Sequence, residues 1–93
     1  LASDGIVTCV VTVQLRSKRV GDVEVACRGV SFADDEQLLS EAQASVKDKI
    51  ASGVKQEGAN LDQLRKTARN SLSNFLWNKT HTRPMVIPVV MEV

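Results

Sequence analysis

Aromatic residues are scarce in this chain: two Phe, one Trp and no Tyr, 3% of the sequence. A core must therefore be filled by Val, Leu, Ile, Ala and Met, with each fully buried Val or Leu worth roughly 1.5–3 kcal/mol. Histidine is limited to His81 and cysteine to Cys9 and Cys27. Three such side chains, far apart in sequence, are one ligand short of a structural zinc site, and their spacing matches no redox motif. Cys9 and Cys27 read instead as inert, buried thiols in strands. No apolar run approaches the roughly 20 residues of a membrane span, and no signal peptide is visible. The formal glycosylation sequon Asn78-Lys79-Thr80 is therefore taken as chance, and a cytoplasmic location is expected. Glycines do not form a phosphate loop, because Gly53-Val54-Lys55-Gln56-Glu57-Gly58 lacks the Gly-Lys-Ser/Thr ending and follows no strand. Nothing resembles a Ser-His-Asp constellation. With no nucleophile, base and charge stabiliser in one set, the chain is expected to carry no catalytic residue.

Acidic residues are also absent from one long stretch, Gln63 to Met91, which holds Arg65, Lys66, Arg69, Lys79, His81 and Arg83. The formal net charge is only +1, which alone does not mark a nucleic-acid binder. The 93 residues, of which 43% are apolar, fit a single domain spanning 1–93.

The first apolar segment, Ile6 to Leu15, is too short and too rich in Val and Thr for a helix and reads as a strand. Both of its faces carry apolar groups, so it is expected at the centre of a sheet. A polar loop over Arg16–Asp22 leads to a second, antiparallel strand over Val23–Val30. Gly29 near its end suggests a bulge or a close backbone approach. Asp34, with Gln37 three residues on, predicts a helix N-cap. Leu39, Ala42, Val46 and Ile50 then recur at helical spacing, and Gly53 is the expected stop. Asn60 with Gln63 repeats the capping pattern for a second helix, whose stripe is Leu61, Leu64, Ala68, Leu72, Phe75 and Leu76. That helix ends before Pro84. Met85–Val93 is a third strand, and Pro88 places it at an edge.

The expected fold is thus α+β, in the order β-β-α-α-β. Two helices pack on one face of a three-stranded mixed sheet of order 2-1-3. Leu39, Val46, Leu64 and Leu72 should pack against Val11, Val13 and Ile87. Ile6, Val10, Val86 and Val90 are expected on the uncovered face, as a candidate partner surface. The basic residues Arg65, Arg69, Lys79, His81 and Arg83 are candidate RNA contacts, because cations neutralise phosphates. The bland alternative for them is a solvated helix face and a charged turn. Trp77 either stacks on a base or closes the end of the core.

Phe75 to Val93 (FLWNKTHTRPMVIPVVMEV) resembles the closing segment of bacterial ribonuclease J. That family shows an aromatic, an acid or amide, Lys-Thr, a basic pair, Pro-Met, then an apolar strand ending Met-Glu-Val. Asp4-Gly5-Ile6-Val7-Thr8 resembles the opening of the same C-terminal domain, and Arg28-Gly29-Val30 its second strand. The chain departs from the pattern at Thr82-Arg83, where a basic pair is usual, and at Trp77, where Tyr is usual. The resemblance implies a longer parent with metallo-β-lactamase and β-CASP domains. Those domains would hold two zinc ions and cleave RNA as endonuclease and 5′-to-3′ exonuclease; none of their ligand motifs occurs here. It further implies a bacterial enzyme, dimeric or tetrameric, whose assembly and activity this domain supports, with RNA as the parent's substrate and no membrane partner. The alternative is a KH-like module that contacts RNA through its basic second helix and the following loop. A KH domain needs a Gly-x-x-Gly clamp, whereas Gly53 and Gly58 stand too far apart for one.

Overall fold

A computed structural model describes residues 4–93. Its elements run β1 (Ile6–Gln14), β2 (Arg19–Arg28), α1 (Glu36–Val54), α2 (Leu61–Thr80) and β3 (Met85–Glu92). The sheet order is β2-β1-β3, with β2 antiparallel and β3 parallel to the central β1. Fold class, element order and strand order are those expected from the sequence.

The central strand sets the layers. Val7, Cys9, Val11 and Val13 are fully buried, on the face that the helices cover. α1 presents Ala42, Val46, Ile50 and Val54 to them, and α2 presents Leu64, Ala68, Leu72 and Leu76. All eight recur every four residues, the spacing that lines one face of a helix. No polar or charged residue is buried among the described residues, so the core is dry and aliphatic. Phe32 is its one aromatic member.

Several boundaries differ from expectation. β2 begins at Arg19 rather than Val23, because a bulge between Val11 and Val13 lets pairing continue to Gln14 and Arg19. Gly21 makes this possible: a Cβ there would meet Thr12 Oγ1 at 2.5 Å. The same hydroxyl accepts from the Asp22 N–H at 2.9 Å. The N-cap of α1 is Asp35, not Asp34; its carboxylate accepts from Leu38 N–H at 3.0 Å. Two adjacent aspartates offer equivalent caps, and the choice falls to tertiary structure. Phe32 is buried, and its carbonyl accepts from Asp35 N–H, which fixes the turn leading into the helix. α1 also runs through Gly53 to the buried Val54. Gly53 is there for space rather than as a stop: a Cβ would lie 3.1 Å from Leu64 Cδ2 on α2. Asn60 caps α2 as expected, accepting from Gln63 N–H. His81 closes α2 in the left-handed conformation, and its N–H donates to Trp77 O.

Gly29 bears out the expected close approach. Its φ is +71°, and a Cβ on Gly5 would meet the Gly29 carbonyl oxygen at 2.5 Å. Bare backbone at Gly5 and the positive φ at Gly29 let the ends of β1 and β2 meet.

Candidate interaction surfaces

Residues paired across a sheet project to the same face. The register therefore decides what the uncovered face displays. Ile6, Thr8, Val10 and Thr12 of β1 stand beside Met85, Ile87, Val89 and Met91 of β3. On the other side Ile6, Thr8 and Val10 stand beside Arg28, Ala26 and Glu24 of β2. The uncovered face is apolar along β3 and polar along β2. Met85 is 51%, Met91 45%, and Ile6 and Ile87 each 41% exposed.

The expected surface set of Ile6, Val10, Val86 and Val90 is split by this register. Ile6 and Val10 lie on the open face. Val86 pairs with Val7 and Val90 with Val11, so both lie on the helix-covered face, and Val90 is buried. Ile87, expected in the core, faces outward beside Thr8. The reason is the composition of β3: Met-Val-Ile-Pro-Val-Val-Met is apolar at odd and even positions alike. A one-residue slip flips every side chain, and such a strand carries no polarity of its own to fix its parity. Of the other expected core residues, Val46, Leu64 and Leu72 are fully buried while Leu39 is half-buried at the margin.

The basic residues do not form one cluster. Arg65 forms an ion pair with Asp62, one turn earlier on α2. Lys79 turns toward α1, where its ammonium lies 3.6 Å from the Glu41 carboxylate and 5.9 Å from the centre of the Phe75 ring. Arg83 and His81 gather around Trp77 instead. The Arg83 guanidinium lies 4.5 Å from the centre of the indole, and the imidazole meets the indole edge-on at 5.3 Å. The Arg83 main chain is held by Asp4, whose carboxylate accepts from its N–H at 2.7 Å. Trp77 remains 41% exposed, so it only partly closes the core. Beside it lies a depression of about 350 Å³ lined by Ser73, Asn74, Trp77, Arg83 and Pro84. Composition flagged Trp77 as the lone tryptophan; its stack on Arg83 depends on the left-handed turn at His81, which no local pattern announces.

Cys9 is fully buried, and burial pushes its thiol up to about 11. Cys27 is half-buried on β2, and both thiols are free. Among the described residues no three His, Cys, Asp or Glu side chains come together in a way that would hold a metal ion. Among the described residues no helix is long and apolar enough to cross a membrane. The α1–α2 connection lacks a KH-type clamp: Gly53 is inside α1 and only Gly58, at φ +76°, turns the chain.

Comparison with known proteins agrees with the closing motif. Ribonuclease J 2 of Staphylococcus aureus is 32% identical over 95 aligned residues, covering all of this chain. Ribonuclease J 2 of Staphylococcus saprophyticus matches at the same identity and coverage. The chain spans 17% of the length of these curated relatives. The family profile described as the ribonuclease J C-terminal domain matches residues 1–93. With the β-β-α-α-β order and the Pro84-Met85 strand entry in place, the chain belongs to the ribonuclease J C-terminal domain family.

Proposed function

We propose that this domain is a non-catalytic assembly module of a longer bacterial ribonuclease J, and that its uncovered sheet face docks onto a second copy of the parent. The observation that carries this reading is the row Met85, Ile87 and Met91, exposed beside Ile6 and Val10 on a face no helix covers. Water disfavours such a row by about 25 cal/mol per Å² of apolar area, so a partner that covers it gains binding energy. The polar β2 side, with Glu24 and Arg28, fits the rim of such an interface.

In this reading, RNA cleavage, endonucleolytic and 5′-to-3′ exonucleolytic, belongs to metallo-β-lactamase and β-CASP domains of the same parent, in the bacterial cytoplasm. The two zinc ions implied by the family belong there as well, since the described residues supply no ligand set for them.

The test is the size of the full-length enzyme by light scattering. Val10→Lys and Ile87→Lys place a charge on the open face and should shift the enzyme to smaller species. Arg65→Ala and Arg69→Ala, on α2, should leave its size unchanged. Folded, fully assembled lysine variants, with dissociation in the arginine variants, would remove the sheet face from the interface.

A further inference from the structure

The flank of α2, one position round the helix from its buried stripe, carries a second surface. Arg65, Arg69, Ser73 and Trp77 recur at every fourth residue and so form one rib along α2, about 18 Å long at 1.5 Å per residue. Two shallow depressions follow this rib in succession. One is lined by Asp62, Arg65, Lys66 and Arg69, the other by Ser73, Asn74, Trp77, Arg83 and Pro84. Asp62 is already engaged by Arg65. Lys66 and Arg69 have no carboxylate partner among the described residues. From Gln63 to Met91 the chain contributes no carboxylate; the Asp4 carboxylate, beside Arg83, accepts from the Arg83 N–H.

We propose that this rib is a binding track for single-stranded RNA, with Trp77 and Arg83 as the platform for an unpaired base and Lys66 and Arg69 as phosphate contacts. The Arg83 guanidinium lies over one face of the 41% exposed indole, and a base can extend this stack against the guanidinium or the other face of the ring. Ser73 and Asn74, in the wall of the same depression, supply hydroxyl and amide groups for the base edge. The cations lie toward the opposite end of the rib, where the strand's backbone would continue. A duplex hides the faces of its bases and gains nothing from the indole. Membership of a ribonuclease family favours RNA over other anions. The track shares no residue with the sheet face, so the assembly reading stands or falls separately.

Trp77 is the chain's only tryptophan, so its fluorescence reports on this site alone. The 93-residue chain is titrated with a single-stranded oligoadenylate and with duplex RNA of equal length, and affinity is followed in parallel by polarisation of labelled oligonucleotide. Saturable quenching by the single strand, with weaker binding of the duplex, is expected. Trp77→Leu should weaken single-strand binding roughly 5- to 150-fold, the range for loss of one stacked base, while Trp77→Phe retains most of it. Lys66→Gln with Arg69→Gln should lower the salt dependence, in log K against log salt, by about 1.4, from about 0.7 per phosphate contact. Lys47→Gln, exposed on α1 and part of neither surface, should leave RNA binding unchanged. Equal binding of duplex and single strand, or a Trp77→Leu variant with native secondary structure by circular dichroism and unchanged affinity, would overturn the proposal.

Discussion

At the scale of single residues, the molecule is governed by what a dry aliphatic core tolerates. Leu72 is fully buried on α2, facing the sheet. Leu72→Ala leaves a cavity in this closely packed core and should cost about 2–5 kcal/mol in denaturant melts. The same dryness acts on Cys9. Its thiol is raised from 9.0 to about 11 because burial disfavours the thiolate. The unfolded chain ionises first, so the contribution of this group to stability is intact below pH 9 and is lost as pH rises toward 11. Melts recorded across that window should show falling stability in the parent chain and a smaller fall in Cys9→Ala. Iodoacetamide at neutral pH should label Cys27, which is half-buried, well before Cys9, and the order should vanish in denaturant.

At the scale of elements, caps and close approaches decide where helices begin and how near they come. The Asn60 side chain satisfies the Gln63 N–H at the start of α2, and Asn60→Ala should cost about 1 kcal/mol. Gly53→Ala places a methyl against Leu64 within α1, whereas the same change at Gly58 meets no neighbour but must adopt a positive φ. Strand identity, helix identity and sheet order were legible in the chain because β1 is rich in Val and Thr with apolar groups on both faces, and both helices carry apolar stripes at helical spacing. Where the signal was degenerate, only tertiary contacts decide. Asp34 and Asp35 are interchangeable as caps until buried Phe32 positions the turn. The parity of β3 is undetermined by its own residues, and it is set by pairing Met85 with Ile6, which sends Val86 and Val90 inward and Ile87 outward. The Trp77–Arg83 stack was illegible for a related reason, since it joins a helix end to the residue beyond a left-handed cap at His81.

At the scale of the whole molecule, both edges of the sheet are blunted. On β2, the Val25 N–H turns outward and donates to the Gln43 side chain of α1 at 3.2 Å. On β3, Met85 N–H donates to Gly5 O and Val93 N–H to Val13 O, so the backbone N–H groups of odd residues face β1 and the main chain of the even residues, Pro88 among them, faces the free edge. The proline therefore sacrifices no bond to β1 and removes a donor from the exposed edge, a common guard against strand addition. Pro88→Val should keep the fold yet raise the rate of aggregation, followed by light scattering at constant protein concentration. The parallel pairing of β3 has a further consequence for the order in which the chain is made. β1 and β2 can join as soon as both exist, but β3 comes after both helices in the chain, and its pairing closes a loop of the whole domain. During synthesis one side of β1 thus stays unpaired, and the inward positions of Val86 and Val90 stay empty, until the last strand leaves the ribosome. Through that interval the nascent chain holds a strand-shaped vacancy that its own last strand must fill.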